Sequence, residues 1–177
     1  MHFSIQTLLE NELVRLEPLK DEDYKELSAV GCNPEVWINH PNKSRGTEAG
    51  FKVFFDGAIK SQGAYLIRDL KTNQAIGCTR FYDYDQKNKS IFIGYTFFDP
   101  NYWGKGFNAA TKTLMLDYIF QYVDRVYFHV GAENQRSIGA MKKLKAKKLR
   151  ELVVAYFGEP NRNNVEFIIE KKDWISK

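Results

Sequence analysis

The stretch Phe97-Phe98-Asp99-Pro100-Asn101-Tyr102-Trp103-Gly104-Lys105-Gly106-Phe107-Asn108-Ala109-Ala110 carries the clearest chemical signal in the chain: an apolar strand ends, two glycines follow, and a helix begins at once. The first N–H groups of a helix have no intrahelical partner, and the aligned peptide dipoles place positive charge there, so such a junction suits an anion. Glycine lets the main chain approach the anion with no Cβ in the way. A diphosphate is the natural guest, although two glycines alone also serve simply to turn a chain from a strand into a helix. Two familiar glycine loops are excluded. Lys105 is followed by Gly106, so there is no G-x-x-x-x-G-K-[ST], and there is no G-x-G-x-x-G with a following acidic ribose partner.

The elements that must position this loop can be read from periodicity. Leu13 to Leu19 alternates and stops around Pro18, as a first strand does. From Asp21 to about Val30, the residues Tyr24, Leu27 and Val30 mark one helical face. A second helix is predicted from Thr47 to about Gln62, with Phe51, Phe54, Phe55, Ala58 and Ile59 inward, Thr47 at its start and Gly63 beyond its end. Strands follow over Ala64 to Arg68, Ala75 to Tyr84 and Ser90 to Phe98, separated by polar turns, as in an antiparallel meander. Ala110, Leu114, Tyr118 and Tyr122 then give a helix ending near Val123, and Arg125 to Val130 a strand. A helix is expected from about Asn134 to Lys148, and Leu152 to Phe157 with Val165 to Ile169 form a closing strand pair. The order implies a mixed α/β domain in which antiparallel strands lead into a strand, helix, strand unit.

Composition bounds the function. The 177 residues, 44% of them hydrophobic, suffice for one compact domain. The net charge of +4 suits an anionic ligand without demanding nucleic acid. Cys32 and Cys78 have no metal-ligand spacing and fit a reducing compartment, so a cytoplasmic protein is expected. Met1 to Glu10 has no cationic segment before a long apolar run, and no stretch reaches the ~18 apolar residues of a membrane span.

The glycine loop resembles the acetyl-CoA diphosphate loop of the GNAT acyltransferase superfamily, Gln/Arg-x-x-Gly-x-Gly/Ala at the junction of a bulged strand and a helix. Here it reads Trp103-Gly104-Lys105-Gly106-Phe107-Asn108, with Trp103 in the basic or amide position and Asn108 where Gly or Ala is usual. Tyr102-Trp103-Gly104-Lys105-Gly106 is similar to the branch that holds the ribosomal-protein N-terminal (alanine) acetyltransferases. Downstream, Val126 to Val130 and Asn134-Gln135-Arg136-Ser137 resemble the motif whose strand splays away and whose Asn and small residue face the pantetheine arm. The resemblance runs from about Leu13 to Trp174. It implies a single N-acetyltransferase domain over residues 1–177, core about 11–174, with a central, mostly antiparallel sheet, a strand-helix-strand cofactor unit and helices on both faces.

The same resemblance implies acetyl-CoA as co-substrate, bound by Phe97, Phe98, Trp103, Gly104, Lys105, Gly106, Phe107, Asn108, Asn134 and Ser137. The strand amide near Phe98 would hold the thioester or pantetheine carbonyl. A primary amine, of a small molecule or a protein N-terminus, would attack directly in a ternary complex. Ser137 is the expected catalytic residue, protonating the leaving thiolate, because Met141 stands where many relatives carry a tyrosine acid. Leu144-Lys145-Ala146 replaces the usual Leu-Gly-Phe. No metal, nucleic acid or membrane is expected as partner, and the protein is expected to be a monomer or homodimer. Two other readings compete: a catalytically idle domain of this fold that binds acyl-CoA as a sensor or scaffold, and a basic RNA-associated module.

Other residues have both a chemical and a plain reading. Lys142, Lys143, Lys145, Lys147 and Lys148 offer a basic helix face for the CoA 3′-phosphate or an acidic acceptor, or merely a solvated surface. His129 is a base or a hydrogen-bonded strand histidine, and Glu133 a base acting through water or an exposed loop carboxylate. Trp37, Phe51, Phe54 and Phe55 line an acceptor cleft or fill the core.

Overall fold

The structure, a computed structural model, describes residues 4–156 and 158–175. Met1 to Phe3 of the N-terminal reading and Phe157 at the end of a predicted strand lie outside the described residues. The described residues build an α/β domain with a mixed sheet of eight strands and five helices. The strands are β1 Leu9–Glu10, β2 Val14–Pro18, β3 Ala64–Asp69, β4 Ala75–Asp85, β5 Ser90–Phe98, β6 Arg125–Gly131, β7 Lys147–Val154 and β8 Arg162–Glu170. The helices are α1 Tyr24–Gly31, α2 Glu48–Ser61, α3 Phe107–Ile119, α4 Gln135–Lys143 and α5 Lys171–Ile175. Sheet order is β1-β2-β3-β4-β5-β6-β8-β7, and every neighbouring pair is antiparallel except β5 with β6.

The centre of the sheet is buried on both faces, while the edge strand β7 is largely exposed. Tyr65 and Ile67 of β3 join Met115, Leu116 and Ile119 of α3 in one core cluster, while Leu66 between them joins Leu27 of α1 and Phe51, Phe54 and Phe55 of α2 in the other. This is strand alternation seen from a central strand: successive side chains feed opposite cores. Thr47 caps α2 by accepting the Gly50 N–H at 3.1 Å, as its sequence position predicts.

Two departures from strict pairing shape the centre. Cys78 pairs with Phe97 but Arg80 with Gly94, so Tyr95 and Thr96 oppose Thr79 alone, and Tyr95 takes φ +52°. Such a bulge bends its strand. β5 and β6 pair only through Phe92↔Tyr127, after which they separate while β6 stays paired with β8 as far as Gly131↔Asn164. A gap therefore opens between the C-terminal halves of the two parallel strands.

The helix predicted from Asn134 to Lys148 is shorter than expected. α4 ends at Lys143, and Lys145 turns left-handed at φ +59°. The Ala146 N–H then returns to Met141 O and the Lys145 N–H to Lys142 O, both at 3.0 Å, which is a Schellman end. Lys147 and Lys148 therefore belong to β7, where they pair with Asp173 and Glu151. The five lysines do not form one helix face. A lysine in the left-handed region is strained by about 1 kcal/mol relative to glycine. Lys145→Gly is expected to raise stability by that order and Tm by about 2–4 °C, read by thermal melting.

Candidate active site

The glycine loop sits where β5 ends. The Asp99 side chain accepts the Asn101 N–H at 2.8 Å, fixing a single 3-10 turn over Pro100–Tyr102 that delivers Trp103 to the rim of the gap. The Trp103 indole donates to Phe98 O at 2.9 Å, and the Arg136 guanidinium lies 3.5 Å over the Trp103 ring. Gly104 and Gly106 adopt φ +73° and +88°, and a Cβ added at either would meet no atom within 4 Å. The hollow in front of the loop is open to a ligand that approaches the backbone. Gly106 offers no side chain to cap α3, whose first intrahelical bond in the ladder is Ala110 N–H to Gly106 O at 2.9 Å. The N–H groups of Phe107, Asn108 and Ala109 precede it, three donors at the positive end of a helix dipole.

The gap itself holds a second donor. Asp99 N–H bonds Ile76 O at 2.8 Å on the β4 side, so strand alternation turns the Phe98 N–H to the opposite edge, where β6 has withdrawn. Its own carbonyl is satisfied by Trp103. Asn134 caps α4 by accepting the Ser137 N–H at 3.1 Å. The Ser137 hydroxyl is thereby spared the capping role and has no hydrogen bond among the described residues, and both residues line the cavity that fills the gap. These donors fit a group that presents a diphosphate at one end and a carbonyl at the other.

Of the residues expected to bind the cofactor, the structure brings Phe97, Phe98, Trp103, Asn108, Asn134 and Ser137 to the cavity wall. Gly104, Lys105 and Gly106 form the exposed loop beside it, and the Phe107 ring is buried edge-on against Tyr102 at 4.8 Å, leaving only its backbone to a ligand. Met141 is buried in the wall. Trp37 also reaches the cavity, whereas Phe51, Phe54 and Phe55 are core, and Glu133 is exposed.

His40, Arg45 and Lys112 carry no role in the sequence reading, and they join His129 and Arg136 in the wall. Among the described residues no aspartate or glutamate lines this cavity. Arg45 forms a buried ion pair with Glu159, joining the loop before α2 to the turn between β7 and β8. Burial, helped by the Arg45 charge, pushes the His40 imidazole down to about 3, so it is neutral near pH 7. His129 Nε2 lies 2.9 Å from Glu166 Oε2, and Arg150 donates to the other carboxylate oxygen at 2.9 Å. Burial alone would raise Glu166, but these two hydrogen bonds and charges hold it below the usual carboxylate range. Cys78 is buried and pushed up to about 12, so it stays a protonated thiol.

Lys112 of α3 is buried, and among the described residues no carboxylate is bonded to it. Its Nζ donates to Thr96 Oγ1 at 2.5 Å and Thr79 Oγ1 at 3.3 Å, beneath the β5 bulge. Burial pushes it down to about 7. Among the described residues no three His, Cys, Asp or Glu side chains gather as a metal site, and no helix is long and apolar enough to cross a membrane.

A family model, the acetyltransferase (GNAT) domain, matches residues 14–147. The chain belongs to the GNAT acetyltransferase family, and it is an N-acetyltransferase. No curated protein matches this sequence. Its fold is similar to a probable GNAT acetyltransferase of Chromobacterium violaceum, at TM-score 0.82 and 19% identity over 96% of this chain and 89% of that one. A putative ribosomal-protein-serine acetyltransferase of Vibrio cholerae aligns at TM-score 0.72 and 12% identity, covering 95% and 99% of the two chains. Spermidine N-acetyltransferase from Vibrio cholerae, in complex with CoA and spermine, aligns at 0.67 and 18%, covering 93% and 99%.

Two outcomes follow from this geometry. Asn108→Asp places a carboxylate in the first turn of α3, which favours the helix but repels a diphosphate. The apoprotein should melt no lower than the parent, while acetyl-CoA affinity measured by calorimetry falls on the order of tenfold; unchanged affinity would refute the loop assignment. For Lys112, the unfolded chain keeps its proton to about pH 10.4, whereas the folded chain releases it near 7. Folding stability therefore rises with pH across that window, by at most about 1.4 kcal/mol per unit. Urea unfolding of the parent and Lys112→Met should differ by this slope between pH 7 and 10 and run parallel below it.

Proposed function

We propose that the chain moves an acetyl group from acetyl-CoA to a primary amine by direct attack within a ternary complex. The observation that carries this reading is the Phe98 N–H, left unpaired at the gap between β5 and β6 while Trp103 occupies its carbonyl. The diphosphate would lie on the N–H groups of Phe107, Asn108 and Ala109, with Gly104 and Gly106 giving it access and Lys105 or Arg136 adding charge. Asn134 would border the pantetheine arm. The Phe98 N–H would hold the thioester oxygen as charge develops on it, and the Ser137 hydroxyl would hand its proton to the departing thiolate while taking one back from water, which restores the serine. The amine's own proton would leave to water or to Lys112, the buried amine that titrates near neutrality.

Orientation supplies most of the rate in such a scheme, because nucleophile and thioester are held together in one cavity. The acceptor is a small molecule or a protein N-terminus. Tyr102-Trp103-Gly104 keeps the ribosomal-protein branch as one source of acceptors, but a fold alone does not choose between peptide and polyamine. A single GNAT domain over 1–177, working in the cytoplasm as monomer or homodimer, is part of the same reading. Met141, buried where a tyrosine acid would serve many relatives, keeps an idle acyl-CoA-binding domain as the alternative reading.

Free-thiol release from acetyl-CoA with a panel of amines, and a gain of about 42 Da on the product, separates the two: thiol release shows transfer, and tight acetyl-CoA binding without release shows the idle domain. Acetyl-CoA is expected to bind in the micromolar range, about −8 kcal/mol. In the active case Ser137→Ala should slow single turnover by about tenfold to a hundredfold with nearly unchanged acetyl-CoA affinity. Turnover at the parent's rate would leave the proton to water.

A further inference from the structure

A second cavity of about 320 Å³ adjoins the first and shares Tyr95, His129 and Tyr156 with it. Arg80 of β4 is built into its wall, and this residue is an anomaly. Its side chain is only 4% exposed, yet among the described residues no carboxylate is bonded to it. Among the described residues, a guanidinium with five donors makes one hydrogen bond, Nη1 to Gly57 O at 3.2 Å, and its Nε is buried with no partner. The guanidinium carbon lies 3.9 Å from the centre of the Tyr95 ring, the residue that forms the bulge between the two cavities. Buried charge of this kind is retained where an anion completes it, and arginine's planar fork matches a carboxylate or phosphate.

The surrounding charges agree. The second cavity adds Lys60 and the exposed Asp83, and the first contributes cations without one lining carboxylate among the described residues. A polyamine, with several ammonium groups, would meet one lining carboxylate among the described residues, the exposed Asp83, against the cations Arg45, Arg80, Lys112 and Arg136. An amine with an anionic group of its own would place that group on Arg80. Its amino end could then pass the shared wall of Tyr95, His129 and Tyr156 toward the Phe98 N–H.

We propose that the acceptor is a small amine carrying a carboxylate or a phosphate, and that Arg80 holds this anionic group in the second cavity. The proposal rests on the acetyl-transfer reading above and narrows it. The test is calorimetry on the full chain saturated with CoA, titrated with matched pairs: 4-aminobutyrate and butylamine, phenylalanine and phenethylamine, O-phosphoethanolamine and ethanolamine, with spermidine beside them. The anionic member of at least one pair should bind tenfold or more tightly than its neutral-tailed partner and than spermidine. Whether the carboxylate or the phosphate pairs show the difference identifies the group. Arg80→Gln should erase the preference with acetyl-CoA affinity and melting temperature retained, and Arg80→Lys should keep part of it. If Arg80→Gln does not fold, the matched pairs on the parent and on Arg80→Lys still decide. Equal binding within every pair, no binding by any anionic amine, tighter binding of spermidine, or an undiminished preference in Arg80→Gln each overturns the proposal. Acetyl-CoA is titrated first: failure to bind it removes the proposed function itself, whereas binding it without the anionic preference removes only this inference.

Discussion

The site exists because two strands stop pairing. A parallel pair that ran its full length would bury its backbone donors in the ladder and leave no room between β5 and β6. The bulge of Tyr95 and Thr96 against Thr79 bends β5 away, and the ladder ends at Phe92↔Tyr127. Everything placed at the centre follows from that separation: the Phe98 N–H has no strand to bond, the Trp103 indole can reach the Phe98 carbonyl, and α4 can bring Asn134 and Ser137 to the rim. An unmade backbone hydrogen bond, normally a liability, leaves a donor turned toward the cavity.

The positions of the elements were largely legible in the sequence because apolar spacing reports what faces the core. Thr47 and Gly63 bracketed α2, and the turn at Asp85 to Lys89 separated β4 from β5 with little error. The α4 end was misjudged for a definite reason. Lysines favour helix, and nothing in Leu144-Lys145-Ala146 announces a left-handed residue when the usual glycine is missing. The Schellman bonds were strong enough to impose the turn on a lysine, and the next residues then paired with β8 instead of extending the helix.

The loop at Trp103 to Asn108 was legible because its glycines and its strand-to-helix junction are local. The charged wall was not, since it is assembled from the loop before α2, β4, α3, β6 and α4. One of its members did leave a trace. Lys112 precedes Met115, Leu116 and Ile119 at spacings of three, four and seven, on the buried stripe of α3; a lysine at a core position of an amphipathic helix is a local signal of an unusual environment. Arg80 left a weaker one, as a charge in the middle of a strand buried at Ala75 through Phe81.

The gap is bordered on one face of the sheet by residues of α3 and α4 and on the other by Trp37 and Arg45, with the second cavity continuing past Tyr156. It is therefore walled from both faces of the sheet, so a change in the loop before α2 and a change in α4 both alter the same cavity although the two segments belong to opposite layers.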